Sequence, residues 1–264
     1  MNNHLEAGYT RWALLLEFDG TGFVGWQRQE NNPSIQGCLE EAGAAFFGGQ
    51  SVMSATSGRT DAGVHASAMV VQLDVPDMRA VSAHQLRDGL NFHLKPHLIG
   101  VRMARPAPTD WHARFSAIGR RYRYTILNRA ARPILDAHHV WHVKHPLNVD
   151  AMQEASRFLI GRHDFSSFRA ASCQASGPIR TLDEMTISRS GDHVVLEVQA
   201  RSFLHHQVRN FAGSLALVGR GKWSATHLRD VLDARDRSQA GPTAPPEGLC
   251  LIRVDYPEKL FESA

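Results

Sequence analysis

Residues 51–75 read SVMSATSGRTDAGVHASAMVVQLDV. Residues 51–57 are a candidate short strand, and the apolar run 68–75 predicts another. The polar segment between them carries one acid, Asp61, and a glycine on each side of the acid permits tight backbone geometry. The pattern predicts a strand, a tight loop that presents Asp61, and a second strand.

The flanking sequence supplies the other elements of a small α/β domain. The predicted elements in order are a strand at 12–18, a helix opened by Pro33-Ser34 and stopped by Gly48-Gly49, strands at 51–57 and 68–75, a helix from Ser82 to about His93, and a strand at 97–103. Along the first helix Ile35, Leu39, Ala42 and Phe46 share one face. The order β-α-β-β-α-β is that of the split βαβ, or ferredoxin-like, unit.

From about residue 109 the same order of elements recurs more loosely. The predicted elements are a strand at 120–127, a helix from Asn148 through 149–160 closed by Gly161, a hairpin of 185–190 and 193–200 around Gly191-Asp192, helices at 205–218 and 226–234, and a strand at 249–254. We therefore predict an α/β (α+β) fold of two ferredoxin-like, RRM-like halves, 1–108 and 109–264, with a joined, mainly antiparallel sheet and a central cleft.

Composition narrows the class of protein. The 264-residue chain is 43% hydrophobic, enough for a packed core, and no apolar run approaches the ~18–20 residues of a membrane span. Residues 1–10 lack the basic and apolar regions of a signal peptide. Cys38, Cys173 and Cys250 are far apart and form no CxxC, so neither a disulfide framework nor a cysteine metal site is expected. These features are typical of a protein of the reducing cytoplasm.

The cations are mostly arginines, although the net charge is only +3. Of 29 basic residues four are lysines, which leaves 29 − 4 = 25 arginines. The planar guanidinium suits contacts to phosphate and stacking on bases, so the bias favours a nucleic-acid partner. A GC-rich genome, which favours arginine codons whatever the function, explains the bias equally well. The positions of the arginines therefore matter more than their number.

On loop chemistry alone, the commoner interpretation of the Asp61 segment is a solvated turn in which the acid caps its own backbone. The functional interpretation depends on longer matches. GRTDAGVHA, 58–66, closely resembles the catalytic motif of the TruA-type tRNA pseudouridine synthases. Further segments resemble the same family in the same order, over roughly residues 11 to 257: Phe18-Asp19-Gly20-Thr21, Gly25-Trp26-Gln27-Arg28-Gln29, 112–117, 120–124, 164–169, 203–210 with Gly213, and Glu247-Gly248-Leu249.

Two departures from the family pattern concern positions other than the acid. Phe18 stands where the family usually has tyrosine, and Ala68-Met69 stand where it commonly has Gly-Gln. If that amide contacts RNA in relatives, the contact is absent here.

The resemblance implies a catalytic set of Asp61, Tyr122 and Arg209. Asp61 would be the carboxylate that acts at the sugar, and Arg209 the cation that favours its ionised form against desolvation. The period of two in 120–127 puts Tyr122 and Tyr124 on one face; Tyr124 is expected in the core, and Tyr122 would stack on the uracil. Leu249 would be an apolar wall of the pocket.

The resemblance also implies contacts to RNA. A uridine in a stem must be flipped out before it can react, at a cost of a few kcal/mol, and contacts to phosphate must supply part of that energy. The expected RNA-binding residues are Arg59, which would also contact the substrate, Arg79, Trp111, His112, Ala113, Arg114, Phe115, Arg121, Arg129, Arg169, Ser172, Cys173, Gln174, Ala175 and Ser176; Arg120 belongs to the same basic set.

The expected reaction moves uracil from an N-glycosidic to a C-glycosidic bond and neither gains nor loses atoms or electrons. No cofactor or metal is therefore expected. The resemblance implies tRNA as substrate, uridines 38, 39 and 40 of the anticodon arm as targets, and a homodimer, without membrane or dinucleotide partners.

Three alternatives are open at this stage. Gly20 to Gly25 is formally a dinucleotide-binding G-x-G-x-x-G, but a helix must follow such a turn directly, and here it is predicted about eight residues late. The histidines among residues 138–145 suit a strand and offer no obvious ligand set, so weak surface metal binding is expected there at most. A non-catalytic RNA-binding module shares the order of elements, but no RNP1 pattern is present.

Overall fold

The computed structural model describes residues 5–77, 80–258 and 260–261. The chain forms two compact units, one from the residues up to Ile118 and from Leu251 onward, the other from Gly119 to Cys250. The predicted mixed class, with mainly antiparallel strands, is confirmed. Among the described residues no helix is both long and apolar enough to cross a membrane.

The first unit has the predicted order of elements, β-α-β-β-α-β. These are β1 Tyr9–Phe18, α1 Ile35–Phe46, β2 Met53–Thr56, β3 His65–Pro76, α2 Ala83–His93 and β4 Ile99–Pro106. Strand β1 lies between β3 and β4 and is antiparallel to both, while β2 pairs with the other edge of β3. Strand β3 begins three residues before the predicted start, because Phe18 of β1 already pairs with Ala66.

Both helices of this unit begin at the predicted caps. The Ser34 hydroxyl accepts the Gly37 N–H at 3.2 Å, and Ser82 forms a reciprocal capping box with Gln85. The Phe46 ring lies directly over Gly89 of α2, where a Cβ would have no room. The two helices therefore pack closely on the sheet at the point where α1 ends.

A buried ion pair holds residues 109–111 in the first unit, which extends to Ile118. Arg11 and Asp74, 2% and 5% exposed, form a bidentate pair across β1 and β3 with both N–O distances 2.8 Å. The same guanidinium donates to the carbonyls of Thr109 and Trp111, at 2.7 and 2.8 Å. Residues 109–111 are thus fastened to the sheet of the first unit.

Replacement of Arg11 by leucine is expected to lower the free energy of unfolding by about 3–5 kcal/mol, because it leaves a buried carboxylate unpaired. Urea denaturation measures the loss. The double variant Arg11→Leu, Asp74→Leu is expected to recover much of it, since the uncompensated charge is then gone. A loss below about 1 kcal/mol, the range of an exposed pair, would contradict the assignment.

The second unit resembles the first less than the sequence predicts. Its elements are β5 Gly119–Leu127, β6 Trp141–His142, α3 Val149–Ser156, β7 Gly161–Asp164, β8 Ile179–Ser190, β9 His193–Ala200, α4 Gln207–Gly219 and α5 Ala225–Ala234; β10 Leu249–Asp255 begins in this unit and continues into the first. The sheet order is β5-β9-β8-β7, all antiparallel, with the predicted hairpin between β8 and β9. The predicted inward residues of α4, Val208, Phe211, Leu215 and Val218, are all buried.

Three predictions about this unit are wrong in detail. Helix α3 ends at Ser156 and not at residue 160, because the chain tightens into a 3₁₀ turn and must be extended at Gly161 to pair with β8. Helix α4 begins at Gln207 and not at residue 205, since His206 is left-handed, with φ 63°. Of the histidine-rich segment 138–145, only Trp141–His142 is a strand.

Candidate active site

The Asp61 loop joins β2 to β3 in the first unit. Its entry is fixed by the Ser57 N–H, which donates to Val70 of β3 at 2.9 Å, and its exit by the Val64 N–H, which donates to the Asp61 carbonyl at 3.2 Å. Gly63 has φ 75°, a conformation that glycine adopts without strain. Asp61 is half-buried at this turn. The turn holds the acid outside the strands, as predicted.

The glycine segment, residues 20–26, lies against this loop and holds its backbone. The Gly63 N–H donates to the Phe23 carbonyl at 3.3 Å, and the Trp26 N–H donates to the Thr60 carbonyl at 3.1 Å. Gly25 has φ 103°, and a Cβ there would lie 3.0 Å from the Asp61 carbonyl carbon and closer still to the Thr60 oxygen. The loop therefore cannot shift toward the segment, and the position of Asp61 is fixed from both sides.

The geometry of the glycine segment does not fit a dinucleotide site. No helix follows it until Ile35, nine residues beyond Trp26. Its amides are also used within the protein, because the Gly20 N–H donates to His65 Nδ1 at 3.0 Å and the Val24 N–H to the Pro33 carbonyl at 3.0 Å. A Rossmann turn instead directs its amides and a helix N-terminus at the pyrophosphate.

Met69 belongs to the core beneath the loop. Its side chain is fully buried in β3, and its sulfur accepts the hydroxyls of Thr56 and Ser57 at 2.9 and 3.3 Å. In this chain the side chain at position 69 therefore supports the start of the Asp61 loop and does not reach the surface.

In the second unit, the two tyrosines of β5 differ in burial, although the period of two puts them on one face. Tyr124 is fully buried and donates to the Pro245 carbonyl at 2.7 Å, and burial raises the pKa of its hydroxyl far above the ordinary value. Tyr122 is half-buried and meets Phe203 edge to face, with ring centroids 5.3 Å apart. The prediction that Tyr124 is the core tyrosine is confirmed, and Tyr122 is the one whose ring is partly accessible.

The opposite face of β5 carries an ionic network. Arg121 donates to Glu184 and Gln199 and lies 3.4 Å from a Glu197 oxygen, and Arg123 pairs with Glu197 at 2.7 Å. Carboxylates on the neighbouring strands thus neutralise the Arg121 guanidinium. These ion pairs do not support the expected contact of Arg121 with RNA.

Arg209 and Leu249 both lie in the second unit. Arg209 is in the first turn of α4, half-buried, and its Nε donates to the Ala244 carbonyl at 2.8 Å. Leu249, 6% exposed, begins β10 directly after Gly248, where an added Cβ would meet the Tyr124 ring at 2.8 Å. Strand β10 therefore begins against Tyr124, which is two residues after Tyr122 in β5.

The segment expected to bind RNA at 111–115 is divided between core and surface. Trp111 and Ala113 are buried, and Tyr256 packs on Trp111 and donates its hydroxyl to the Ala113 carbonyl at 2.6 Å. Phe115 is 62% exposed, with the Arg114 guanidinium 5.9 Å from its ring centroid. In the same loop His112 stacks on Phe115, and burial, with the charges of Arg11 and Arg114, lowers the pKa of its imidazole. The exposed part of the loop is therefore an aromatic ring beside a guanidinium, a suitable surface for a base.

The second expected RNA loop, 172–176, is folded around Arg169. The Arg169 guanidinium donates to the carbonyls of Cys173 and Ala175, both at 2.8 Å, so it shapes the loop from inside. Burial raises the pKa of the Cys173 thiol, but hydrogen bonds from the N–H groups of Ala175 and His205 and the Arg169 charge outweigh it, and the net pKa is lowered.

The remaining expected RNA contacts are arginines outside these two loops. Arg59 is exposed beside Asp61 and makes no hydrogen bond or ion pair within residues 5–77, 80–258 and 260–261. Arg129 lies 3.3 Å from an Asp192 oxygen, an exposed pair that contributes little energy. Arg79 lies outside the described residues.

Comparison with known proteins identifies the family. A family model described as tRNA pseudouridine synthase matches residues 15–116 and 155–257, well over half of the chain. The chain belongs to this family. Proteins named tRNA pseudouridine synthase A are similar over nearly their full length: 54% identity in Gluconobacter oxydans, covering 96% of this chain and 92% of the relative, and 58% in Acidiphilium cryptum, covering 93% and 96%. A relative of the same name from Rhodospirillum rubrum is 53% identical over 94% of this chain and 88% of its own length.

The predicted family and its enzyme class, isomerase, are thereby confirmed. Within the family the matched regions contain Asp61, Arg59, Arg209 and Leu249, whereas Tyr122 lies between them. Sequence reasoning missed the function of the glycine segment, although the signal was present: a glycine-rich turn without a following helix must pack against something other than a phosphate.

Proposed function

We propose that this chain is a tRNA pseudouridine synthase that converts uridine to pseudouridine at positions 38, 39 and 40 of the anticodon stem-loop, with Asp61 as nucleophile and without a cofactor. The observation that carries the proposal is the Asp61 loop, which lies within the family match and holds one half-buried carboxylate in a fixed turn. Membership of the family supports the reaction and tRNA as the substrate class.

The chemistry suits a lone carboxylate. Asp61 attacks C1′ of the flipped uridine, the bond from C1′ to N1 breaks, and the uracil turns within the pocket. C5 of the uracil then forms the new bond to C1′, Asp61 leaves, and the proton on C5 is removed and replaced by one on N1. The product has the atoms and electrons of the substrate, so the reaction needs no oxidant, reductant or donor group.

The other proposed catalytic residues stabilise the charge of the Asp61 carboxylate and bind the uracil base. Arg209 is the cation that favours the ionised carboxylate of Asp61, as a neighbouring guanidinium does for buried acids. The accessible ring of Tyr122 stacks on the uracil, an interaction typically worth ~1–3 kcal/mol, and its hydroxyl helps to remove the C5 proton. Leu249 supplies an apolar wall. The burial and raised pKa of Tyr124 disfavour it for the proton-transfer step.

RNA is held by exposed groups of known placement. Arg59 and Arg114 supply guanidinium groups for phosphate, and Phe115 supplies a ring on which a base stacks. The loop of residues 172–176, shaped by Arg169, adds backbone and polar contacts. Such contacts supply the few kcal/mol required to flip the target nucleotide. We further propose a homodimer acting in the cytoplasm, where its tRNA substrate is modified.

The proposal is tested by mapping pseudouridine in tRNA from cells that lack this protein. Loss of pseudouridine from positions 38, 39 and 40, with the modification elsewhere intact, is the expected result. Restoring the wild-type chain should restore all three. Unchanged modification throughout the anticodon arm would refute the substrate assignment.

A further inference from the structure

The segment between α5 and β10 lies along one side of α4 in direct backbone contact. We call residues 237–244 the strap. The strap's Gly241 N–H donates to the Ser214 hydroxyl at 3.0 Å, and a Cβ on Gly241 would come within 2.8 Å of Ser214 Cα. On the helix, a Cβ on Gly213 would come within 2.9 Å of the Pro242 carbonyl carbon. Helix and strap therefore fit together only because both positions are glycine.

The last residue of the strap holds Arg209. Ala244 and Arg209 exchange two hydrogen bonds: the Ala244 N–H donates to the Arg209 carbonyl at 3.1 Å, and the Arg209 Nε donates to the Ala244 carbonyl at 2.8 Å. The Ala244 carbonyl thus fixes one edge of the guanidinium, so the conformation of the strap determines where the Arg209 side chain points.

The first residue of the strap, Arg237, ties its other parts together. One terminal nitrogen of Arg237 donates to Asn210 Oδ1 at 3.2 Å and to the Thr243 hydroxyl at 3.0 Å, and the other donates to the Gly241 carbonyl at 3.1 Å. The Thr243 hydroxyl in turn donates to Asn210 Oδ1 at 2.7 Å, and Asn210 is fully buried in α4, one residue after Arg209. One guanidinium therefore connects the helix, the middle of the strap and the residue that precedes Ala244.

We infer that Arg237 is a positioning residue for catalysis, acting through Thr243 and Ala244 on the guanidinium of Arg209. The inference rests on the proposed function, in which Arg209 supports the Asp61 carboxylate. Lysine cannot replace Arg237, because a single ammonium cannot make the divergent contacts of a planar fork. A small misplacement of a catalytic group is enough to reduce turnover, by up to about a hundredfold for 1 Å.

The test compares Arg237→Lys with Arg189→Lys in steady-state and single-turnover assays on tRNA. Arg189 is the control: one of its terminal nitrogens also donates to an asparagine side-chain oxygen and to a second acceptor, those of Asn128 and Leu147, both at 2.9 Å, and neither partner belongs to the strap. We expect kcat to fall about tenfold to a hundredfold in Arg237→Lys with little change in KM. Equal kcat values for the two variants would overturn the inference.

A second pair of variants separates positioning from general stability. Thr243→Val keeps the shape of the side chain and removes the hydroxyl through which Arg237 contacts the residue before Ala244, so it should also lower kcat. If Arg237 acts through Arg209, then Arg237→Lys should cost almost nothing further in an Arg209→Lys background. Additive losses in the double variant would overturn the inference.

The proposed function and this inference fail in different ways. Wild-type kcat in Arg209→Lys and Arg209→Ala would refute the proposed role of Arg209 itself. A large loss in both, together with an unchanged kcat in Arg237→Lys and Thr243→Val, would refute only the positioning role.

Discussion

Replacement of Asp61 by asparagine is expected to abolish pseudouridine formation while tRNA binding persists. Asparagine keeps the size of the side chain and the turn around Gly63, but it cannot attack C1′ as an anion. Loss of a covalent catalyst costs roughly 10⁴-fold or more in turnover, so the product should fall below detection. Tritium release from tRNA labelled at C5 of uridine measures the reaction, and filter binding measures the affinity.

The control for the lost charge is Asp88→Asn. Asp88 is an exposed acid of α2 in the same unit and lies outside the proposed site. This variant should keep wild-type turnover. Because Asp61→Asn and Asp88→Asn each remove one negative charge, a general effect of charge on RNA binding should be the same in both. If the protein only bound RNA and had no catalytic activity, the two variants would give the same result in the tritium-release assay and in filter binding. Residual turnover of Asp61→Asn within tenfold of the wild type would exclude the carboxylate as nucleophile.

The first unit could be predicted from sequence because its signals are local. The side-chain oxygens of Ser34 and Ser82 cap their helices by accepting hydrogen bonds from amides three residues further along the chain. Contacts over so short a distance in sequence can be predicted from the sequence. In the second unit, the end of α3 depends on the pairing of Gly161 with Leu182, twenty-one residues away. No local pattern specifies that contact, so the helix was predicted four residues too long.

The candidate site likewise contains residues whose burial could be predicted and residues whose burial could not. The period of two puts Tyr122 and Tyr124 on one face of the strand, and the resemblance selects Tyr122 for the uracil, which leaves Tyr124 for the core. The burial of the two rings agrees with that choice. By contrast, Trp111 and Ala113 were expected on the RNA-binding surface, but they pack beneath Tyr256, a residue of the distant C-terminal segment. Resemblance to a family predicts which type of residue stands at a position. Whether that side chain faces the core or the surface is determined by packing against residues distant in sequence.

The glycine segment gives the second large effect: Gly25→Ala is expected to reduce kcat by about a hundredfold or more. The added methyl group would meet the backbone of Thr60 and come within 3.0 Å of the Asp61 carbonyl carbon, so either the loop or the segment must move. If Asp61 is the nucleophile as proposed, its movement by about 1 Å is enough for a loss of this size. Single-turnover kinetics on tRNA separates the slower chemical step from any change in binding.

Gly22→Ala is the matched control for this prediction. Gly22 belongs to the same segment and also has positive φ, 80°, but a Cβ there would meet nothing within 4 Å. Both substitutions carry the backbone strain of an L-residue at positive φ, about 1–2 kcal/mol, so both should lower the melting temperature. Only Gly25→Ala should lower kcat, because only at residue 25 does the new methyl press on the loop that carries Asp61. Equal kcat values in the two variants would show that the segment stabilises the first unit without positioning the acid.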